Sequence, residues 1–321
     1  MKKILITGVN GFVASHFLDF LEDNGYKFEI FGVDISEKFL YIRDYKNIKI
    51  NYFQIDLLDQ DKISKLLLEI HPTYILHLAS YSSVAYSWEY PIKSFVNNTN
   101  IFLNLIETLH VNKLTTRVLS VGSSEEYGNV KKTEVPLKET SPLNPISPYA
   151  VARVSQEMLS KVFANSLGLD IVITRSFNHI GPRQRDSFVI PSFVKQAVDA
   201  KKQGLKKMNL YTGDISVIRD FLDVRDVVKA YFLLFEKGIS GEIYNICSGN
   251  AYSLQEIINI IAKQLDIEIN IIIDETRIRP NDNKIILGDN EKLKKATSWE
   301  QDFSLERSIT EIINYFNNPN E

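Results

Sequence analysis

From residue 3 to residue 176, short apolar runs alternate with stretches of helical periodicity, and this rhythm limits the folds open to the chain more than any other feature. KILIT (3–7), EIFGVD (29–34), IKINYFQID (48–56), TYILHLAS (73–80), RVLSVGS (117–123) and DIVITRS (170–176) read as strands. Helices are predicted over 12–25, 61–70, within 91–110 and over 148–167. Apolar strands separated by helix-length segments pair in parallel, with crossover helices on both faces of the sheet. After 177 the regularity fails. The pattern there predicts a helix near 190–202, a short strand near 208–211, and IRDFLDVRDVVKAYFLLFEKG as a strand feeding a helix. EIYNICSG reads as one more core strand, and beyond 247 a helix, a strand and a final helix are expected.

Between the first strand and helix, TGVNGFVA presents Gly8, Gly11 and Ala14. The first glycine permits a tight turn, and the second lets the backbone approach a pyrophosphate at the helix N-terminus. The third position needs a small residue for helix–strand packing. Any glycine-rich turn can imitate the pattern, but its place after an N-terminal strand favours a dinucleotide site. Asn10, Phe12 and Val13 belong to the same loop. Asp34 ends the second strand, where an acidic residue meets an adenosine ribose. Its charge would repel a 2′-phosphate, which favours NAD; nearby Lys38 and Arg43 keep NADP open. A strand-end carboxylate in water is the alternative. Asp56 and Leu57 at the end of the third strand, and Leu78 and Ala79 at the end of the fourth, are the other cofactor candidates, with a solvated turn equally open for Asp56.

The expected fold is therefore α/β, a Rossmann-type doubly wound parallel sheet with a smaller α/β substrate-binding lobe. Residues 1–178 and 218–246 are assigned to the NAD-binding domain, and 179–217 and 247–321 to the lobe. Net charge is −3, which gives no basic footprint for nucleic acid. The five histidines do not cluster, so no metal is expected. A single cysteine, Cys247, excludes an internal disulfide, fits a cytoplasmic setting and is expected to be buried. The apolar run in MKKILITGVNGF is too short for a signal peptide, and no run is long enough to cross a membrane.

SPYAVAR puts Tyr149 and Arg153 four residues apart after a natural N-cap, Ser147, and a first-turn proline, Pro148. Four-apart residues share a helix face, and a cation beside a phenol favours the phenolate. That spacing alone also arises by chance. TGVNGFVASH, LHLAS, Asn98 in NNTNIFLNLIE, GSSEEYG, SPYAVAR, RSFNHIGPRQ, RDFLDVRD and YNICSG, taken in order, resemble the extended short-chain dehydrogenase/reductase family in its nucleotide-sugar branch. GSSEEYG with RSFNHIGPRQ is most similar to the subgroup acting on GDP-linked sugars, which holds 4,6-dehydratases and 4-keto-6-deoxymannose reductases. A narrower likeness is to GDP-N-acetylglucosamine 4,6-dehydratases.

The resemblance implies catalysis by Tyr149, Arg153, Ser123 and Glu125. Ser123 would bond the sugar O4, Tyr149 would take its proton as hydride leaves C4, and Glu125 would remove the C5 proton and assist loss of the C6 hydroxyl. Such a cycle has no net redox change and suits retained NAD. Glu125 and Asp34 thus favour a dehydratase over a ketoreductase; an epimerase or decarboxylase of nucleotide sugars is a further alternative. The family's lysine is replaced by Arg153, which keeps charge and donors for a nicotinamide ribose but cannot carry a proton, and Tyr149 and Arg153 are thereby cofactor-binding candidates as well. That departure motivates a second alternative, a non-catalytic NAD-binding sensor. Ser82, Ser124, Asn178, Arg183, Arg219 and Arg279 are expected to hold the nucleotide sugar, with Tyr81 beside Ser82; a polar loop is equally open for Tyr81 and Ser82, and a structural ion pair for each arginine, Arg219 beside Asp220 and Asp223 being the obvious case. Glu126 is expected to face solvent, His179 to be a packed loop histidine, and His77 reads as a strand residue. The helices at 91–110 and 148–167 resemble the family's four-helix dimer interface, so a homodimer is inherited from the resemblance; their apolar stripes suit packing within one subunit equally.

Overall fold

The computed structural model describes residues 1–41, 43–277 and 283–318. The first part alternates as expected: β1 (Lys2–Thr7), α1 (Phe12–Asp23), β2 (Phe28–Asp34), β3 (Lys49–Gln54), α2 (Gln60–Ile70) and β4 (Tyr74–His77). A short helix that the sequence pattern does not signal, α3 (Val84–Glu89), follows, capped by the Ser83 side chain accepting from Tyr86 N–H. Then come α4 (Pro91–Val111), β5 (Arg117–Ser123), α5 (Pro148–Leu167) and β6 (Asp170–Ser176). The later elements are β7 (Asn178–Ile180), α6 (Val189–Lys202), β8 (Lys207–Thr212), β9 (Ile218–Asp223), α7 (Val224–Lys237) and β10 (Ile243–Ile246). The chain ends with β11 (Ala251–Ser253), α8 (Leu254–Leu265), β12 (Glu268–Ile273), β13 (Ile285–Ile286), α9 (Glu291–Thr297) and α10 (Leu305–Asn317).

Seven parallel strands form the main sheet in the order β10-β6-β5-β4-β1-β2-β3. The order reverses at β1, so a crevice opens between β1 and β4 at their carboxyl ends. Both faces are covered. Along β1, Ile4 and Ile6 join Phe17, Leu21, Val228 and Phe235 on one face, while Leu5 joins Ile63, Phe102, Leu105 and Val118 on the other. This is the period of two for a strand buried on both sides. The fold is a Rossmann-type, doubly wound α/β fold.

A second core forms around α6, α8 and α10, with Ile190, Phe193, Ile257, Ile261, Ile309 and Ile312 buried together. In the smaller sheet, β9 pairs with β7, β11 and β13, and β8 pairs with β12 separately. Two segments cross the division drawn from the sequence. Ile218–Asp223, grouped there with the larger domain, hydrogen-bonds in the smaller sheet, while its Leu222 joins the larger core and the following α7 packs on α1. Conversely α9, grouped with the lobe, packs on α7 and β10, and Trp299 behind it enters the larger core and donates to Asp226 O at 3.0 Å. Sequence periodicity gives one pattern per element and has no signal for which of two neighbouring cores a short element joins.

Candidate active site

The turn after β1 is built by close approach. Gly8 adopts φ +70°, and a Cβ there would lie 3.0 Å from the Ala79 backbone, which restricts the position to glycine. Gly11 caps α1 with no side-chain acceptor, so the first N–H groups of this 12-residue helix open on the crevice. Thr7 Oγ1 accepts from Leu78 N–H at 3.1 Å and Ala79 N–H at 3.2 Å, and its own proton therefore goes to His77 Nδ1 at 2.9 Å. Burial, helped by the Arg153 charge, pushes the His77 imidazole down to about 3, so the ring is neutral.

Asp34 Oδ2 accepts from Asn10 N–H at 3.2 Å, and Oδ1 takes the Ser36 N–H and O–H at 3.1 and 2.9 Å. The Asn10 side chain pins the next loop, accepting from Leu40 N–H at 2.9 Å and donating to Lys38 O at 3.0 Å. Tyr41 O–H bridges the carbonyls of Asn10 and Gly11 at 2.8 and 3.0 Å. Arg43 is drawn away to α1 by Asp19 at 2.7 Å and by Asp23, so it brings no charge to Asp34. Phe12 and Val13 are half-buried and Leu57 is buried. Exposed Asp56 accepts Leu58 N–H at 2.9 Å, an Asx turn. The glycine cradle, the uncapped helix and the carboxylate at the end of β2 fit a dinucleotide.

α5 starts where the sequence places it, with Ser147 accepting from Ala150 N–H at 3.1 Å. Tyr149 and Arg153 are 7% and 5% exposed. Arg153 Nε donates to the Tyr149 phenol at 3.2 Å. Nη1 donates to Gln156 Oε1 at 2.7 Å and Val121 O at 3.1 Å, and Nη2 donates to Ser80 Oγ. Gln156 is held in turn by donating to Ser120 Oγ at 2.9 Å. Four guanidinium N–H bonds thus fix this arginine between β5, the segment after β4 and its own helix.

At the end of β5, Ser123 caps a 3-10 turn, Ser124–Tyr127, that packs on α5. Ser123 Oγ accepts from Glu125 N–H at 3.2 Å and keeps its proton for another acceptor. Glu125 is half-exposed and Ser124 is buried. The expectation for Glu126 is overturned: it is 0% exposed, folded back so that Oε1 accepts Ser123 N–H at 2.6 Å. A capping box turns the second glutamate inward, and adjacent acids in a polar stretch gave no sign of it.

The expected nucleotide-sugar residues spread further. Ser82 is exposed, and Tyr81 is held by Asn98, which accepts its N–H at 2.8 Å and donates to its carbonyl at 3.1 Å. Tyr81 lines a cavity of about 470 Å³ with Leu58, Tyr90, Ile92, Lys93 and Val96. Asn178 is exposed at the start of β7. Arg183, at φ +70°, lies against α1, bonded to Asp19 at 2.6 Å and His16 Nδ1 at 3.0 Å, on the glycine-loop side. Arg219 is buried and donates to Ile218 O and Asn283 O at 2.9 and 2.7 Å. Asp223 is taken by Arg225 at 2.7 Å, and Asp220 by Ser248 Oγ at 2.7 Å and Gly249 N–H at 3.0 Å. Arg279 lies outside the described residues. His179 is half-buried, and Cys247 is buried with its thiol pushed up by burial. Ser80, Gln156, Thr7 and Tyr41 are not singled out by the sequence. Gln156 had a signal, since it stands on the same helix face as Arg153; the others depend on tertiary contacts.

The sequence model for GDP-mannose 4,6 dehydratase matches residues 5–312. The chain belongs to that family. It is an NAD(P)-dependent enzyme family of nucleotide-sugar chemistry. The GDP-6-deoxy-D-mannose reductase of Pseudomonas aeruginosa is 31% identical over 312 residues, covering 97% of this chain and 96% of that protein. The GDP-mannose 4,6-dehydratase of Vibrio cholerae serotype O1 is 27% identical over 353 residues, covering 97% and 92%. Among solved structures, RMD from Pseudomonas aeruginosa complexed with NADPH superposes with a TM-score of 0.86 at 30% identity, covering 99% of this chain and 100% of that one. Among the described residues no His, Cys, Asp and Glu cluster is arranged for a metal, and no helix is long and apolar enough to cross a membrane.

Proposed function

We propose that the chain is a nucleotide-sugar 4,6-dehydratase that converts a GDP-linked hexose, with GDP-N-acetylglucosamine a candidate, to its 4-keto-6-deoxy form. The observation that carries this reading is Glu125, half-exposed on a turn capped by Ser123 and packed on the helix of Tyr149 and Arg153. Bound NAD(P) supplies the hydride acceptor and donor. Ser123 donates to the sugar O4, and Tyr149 accepts the O4 proton while Arg153 Nε stabilises the phenolate. Glu125 then removes the proton from C5, made acidic by the 4-keto group, and delivers one to the departing C6 hydroxyl. Groups of this kind contribute about 10²–10⁴-fold each. Gly8, Asn10, Gly11, Phe12, Val13, Asp34, Asp56, Leu57, Leu78 and Ala79 hold the cofactor, with Asp34 favouring NAD. The nucleotide sugar spans to Ser82, Ser124, Asn178, Arg219 and Arg279, while Arg183 is held by Asp19 on the glycine-loop side.

A 4-keto-6-deoxy-sugar reductase is the second reading, supported by the 31% identity to GDP-6-deoxy-D-mannose reductase. The two part on products. Incubation with GDP-sugars that yields a species lighter by one water, without external reductant, supports the dehydratase; stoichiometric NADPH consumption without water loss replaces it by the reductase. A non-catalytic sensor is disfavoured by the tight seating of Arg153 on Tyr149. Ile92, Phe95 and Val96 of α4 and Val151, Met158 and Val162 of α5 are exposed together, which supports a homodimer through these helices. Light scattering of the purified protein tests it. Its single buried thiol and nucleotide-sugar chemistry suit the cytoplasm.

A further inference from the structure

We infer that Glu126 is a positioning residue: an uncharged carboxylic acid that clamps the Ser123–Glu125 turn to the helix bearing Tyr149 and Arg153. The inference rests on the roles proposed above for Ser123 and Glu125. Glu126 Oε1 accepts Ser123 N–H at 2.6 Å, and Oε2 is buried with no donor facing it. A carboxylate oxygen sealed from water without a partner is costly.

What stands beside it is another acid, Glu157, one turn along α5 from Arg153 and itself buried. Glu157 has its counter-ion already. Arg175 forks onto it with Nε at 2.7 Å and Nη2 at 2.8 Å, and Lys161 approaches from the surface at 3.2 Å. Two neighbouring carboxyls in a dry site do not both ionise. A proton on Glu126 Oε2 turns the orphan acceptor into a donor toward Glu157 and leaves the buried charges of Glu157 and Arg175 matched. Burial first, and the Glu157 charge second, hold the Glu126 carboxyl well above the usual carboxylate range. Burial opposes the charge on Glu157, but the Arg175 hydrogen bonds prevail and hold its carboxyl below that range.

The strand makes room for this group. A Cβ on Gly122 would lie 2.4 Å from Glu126 Oε1 and 2.5 Å from Thr174 O, so β5 carries a glycine where the acid folds back. The turn is therefore held twice, by Ser123 Oγ on Glu125 N–H and by Glu126 on Ser123 N–H, and its anchor is the helix that presents the phenol.

The test compares Glu126→Gln and Glu126→Leu in the purified full-length chain, reading kcat and KM with a GDP-sugar and, separately, isotope-edited infrared difference spectra of the carboxyl. Glutamine can accept from Ser123 and donate to Glu157, so Glu126→Gln retains near-parental kcat. Glu126→Leu loses the clamp, and kcat falls by about 10²-fold with little change in KM. The wild-type minus Glu126→Gln spectrum shows a protonated acid at neutral pH. A carboxylate signal, a Glu126→Gln enzyme as impaired as Glu126→Leu, or a Glu126→Leu enzyme with parental kcat each overturns the inference. The infrared result needs no turnover. A parent protein that fails to dehydrate GDP-sugars therefore sinks the reaction assignment and leaves the protonation of Glu126 to be judged separately.

Discussion

Gln156 Oε1 accepts from Arg153 Nη1 at 2.7 Å, one turn further along α5, and so decides where the guanidinium sits under Tyr149. A hydrogen bond to a charged group is worth about 1.5–3 kcal/mol, which is roughly 10- to 100-fold in a rate it supports. Gln156→Leu should lower kcat by about tenfold with KM for the nucleotide sugar unchanged. Arg153→Met should lose about 10²-fold, since the phenol loses its donor. Arg153→Lys should fall between them, because an ammonium cannot serve Tyr149, Val121 O, Ser80 and Gln156 at once. Steady-state kinetics with a parallel melting curve check the order; parental kcat in Gln156→Leu would contradict it.

Glu125→Gln separates the two chemical readings. In a dehydratase the variant still oxidises C4 but cannot take the C5 proton, so turnover drops by about 10²–10⁴-fold. Reduced cofactor then accumulates as a near-ultraviolet absorbance during a single turnover. An enzyme whose rate is untouched by the substitution is not using this acid on C5.

Gly8→Ala should abolish dinucleotide binding while leaving the phenol–arginine pair in place. The new methyl meets the Ala79 backbone at 3.0 Å, and φ +70° is strained for alanine. Titration calorimetry with NAD measures the loss, and unchanged affinity would mean that this turn is not the cradle.

His16 predicts a pH dependence of stability. Its Nε2–H donates to Pro182 O at 2.9 Å and its Nδ1 accepts from Arg183 at 3.0 Å, an arrangement open only to the neutral ring. Burial, with the Arg183 charge second, lowers the imidazole to about 4. The unfolded chain therefore takes up the proton first as pH falls. The stabilising contribution is complete above the ordinary value near 6.5 and is lost on descending to about 4. Between those two values each pH unit removes about 1.4 kcal/mol. Asp220 and Asp226, whose carboxyls burial raises to about 6, act in the opposite direction over an overlapping range. Urea titrations of wild type and His16→Gln at pH 7 and pH 5 isolate the histidine: the wild type should lose about 2 kcal/mol more than the variant.

The elements that bear the site were legible because each depends on short-range physics. Ser147-Pro148 starts α5 at the expected residue, and the period-two burial of β1 follows directly from its apolar run. Gly8, at φ +70° against the Ala79 backbone, declared a turn that any other residue would obstruct. What the sequence hid is held by distant partners. Glu126 looked like a surface acid because Glu157 and Arg175, which enclose it, lie 31 and 49 residues away. Arg183 looked like a substrate arginine because its acid, Asp19, sits on the first helix. Ser80 gains its meaning only when the segment after β4 meets α5.

β6 ends at Ser176 and β7 begins at Asn178, while β9 ends at Asp223 and α7 begins at Val224. At these two crossings the joint between the cores is one residue or none. Such joints leave no slack for a hinge at either place. Neither core can be excised as a contiguous piece, and any attempt to graft a different sugar-recognising lobe onto this scaffold must splice several crossings together.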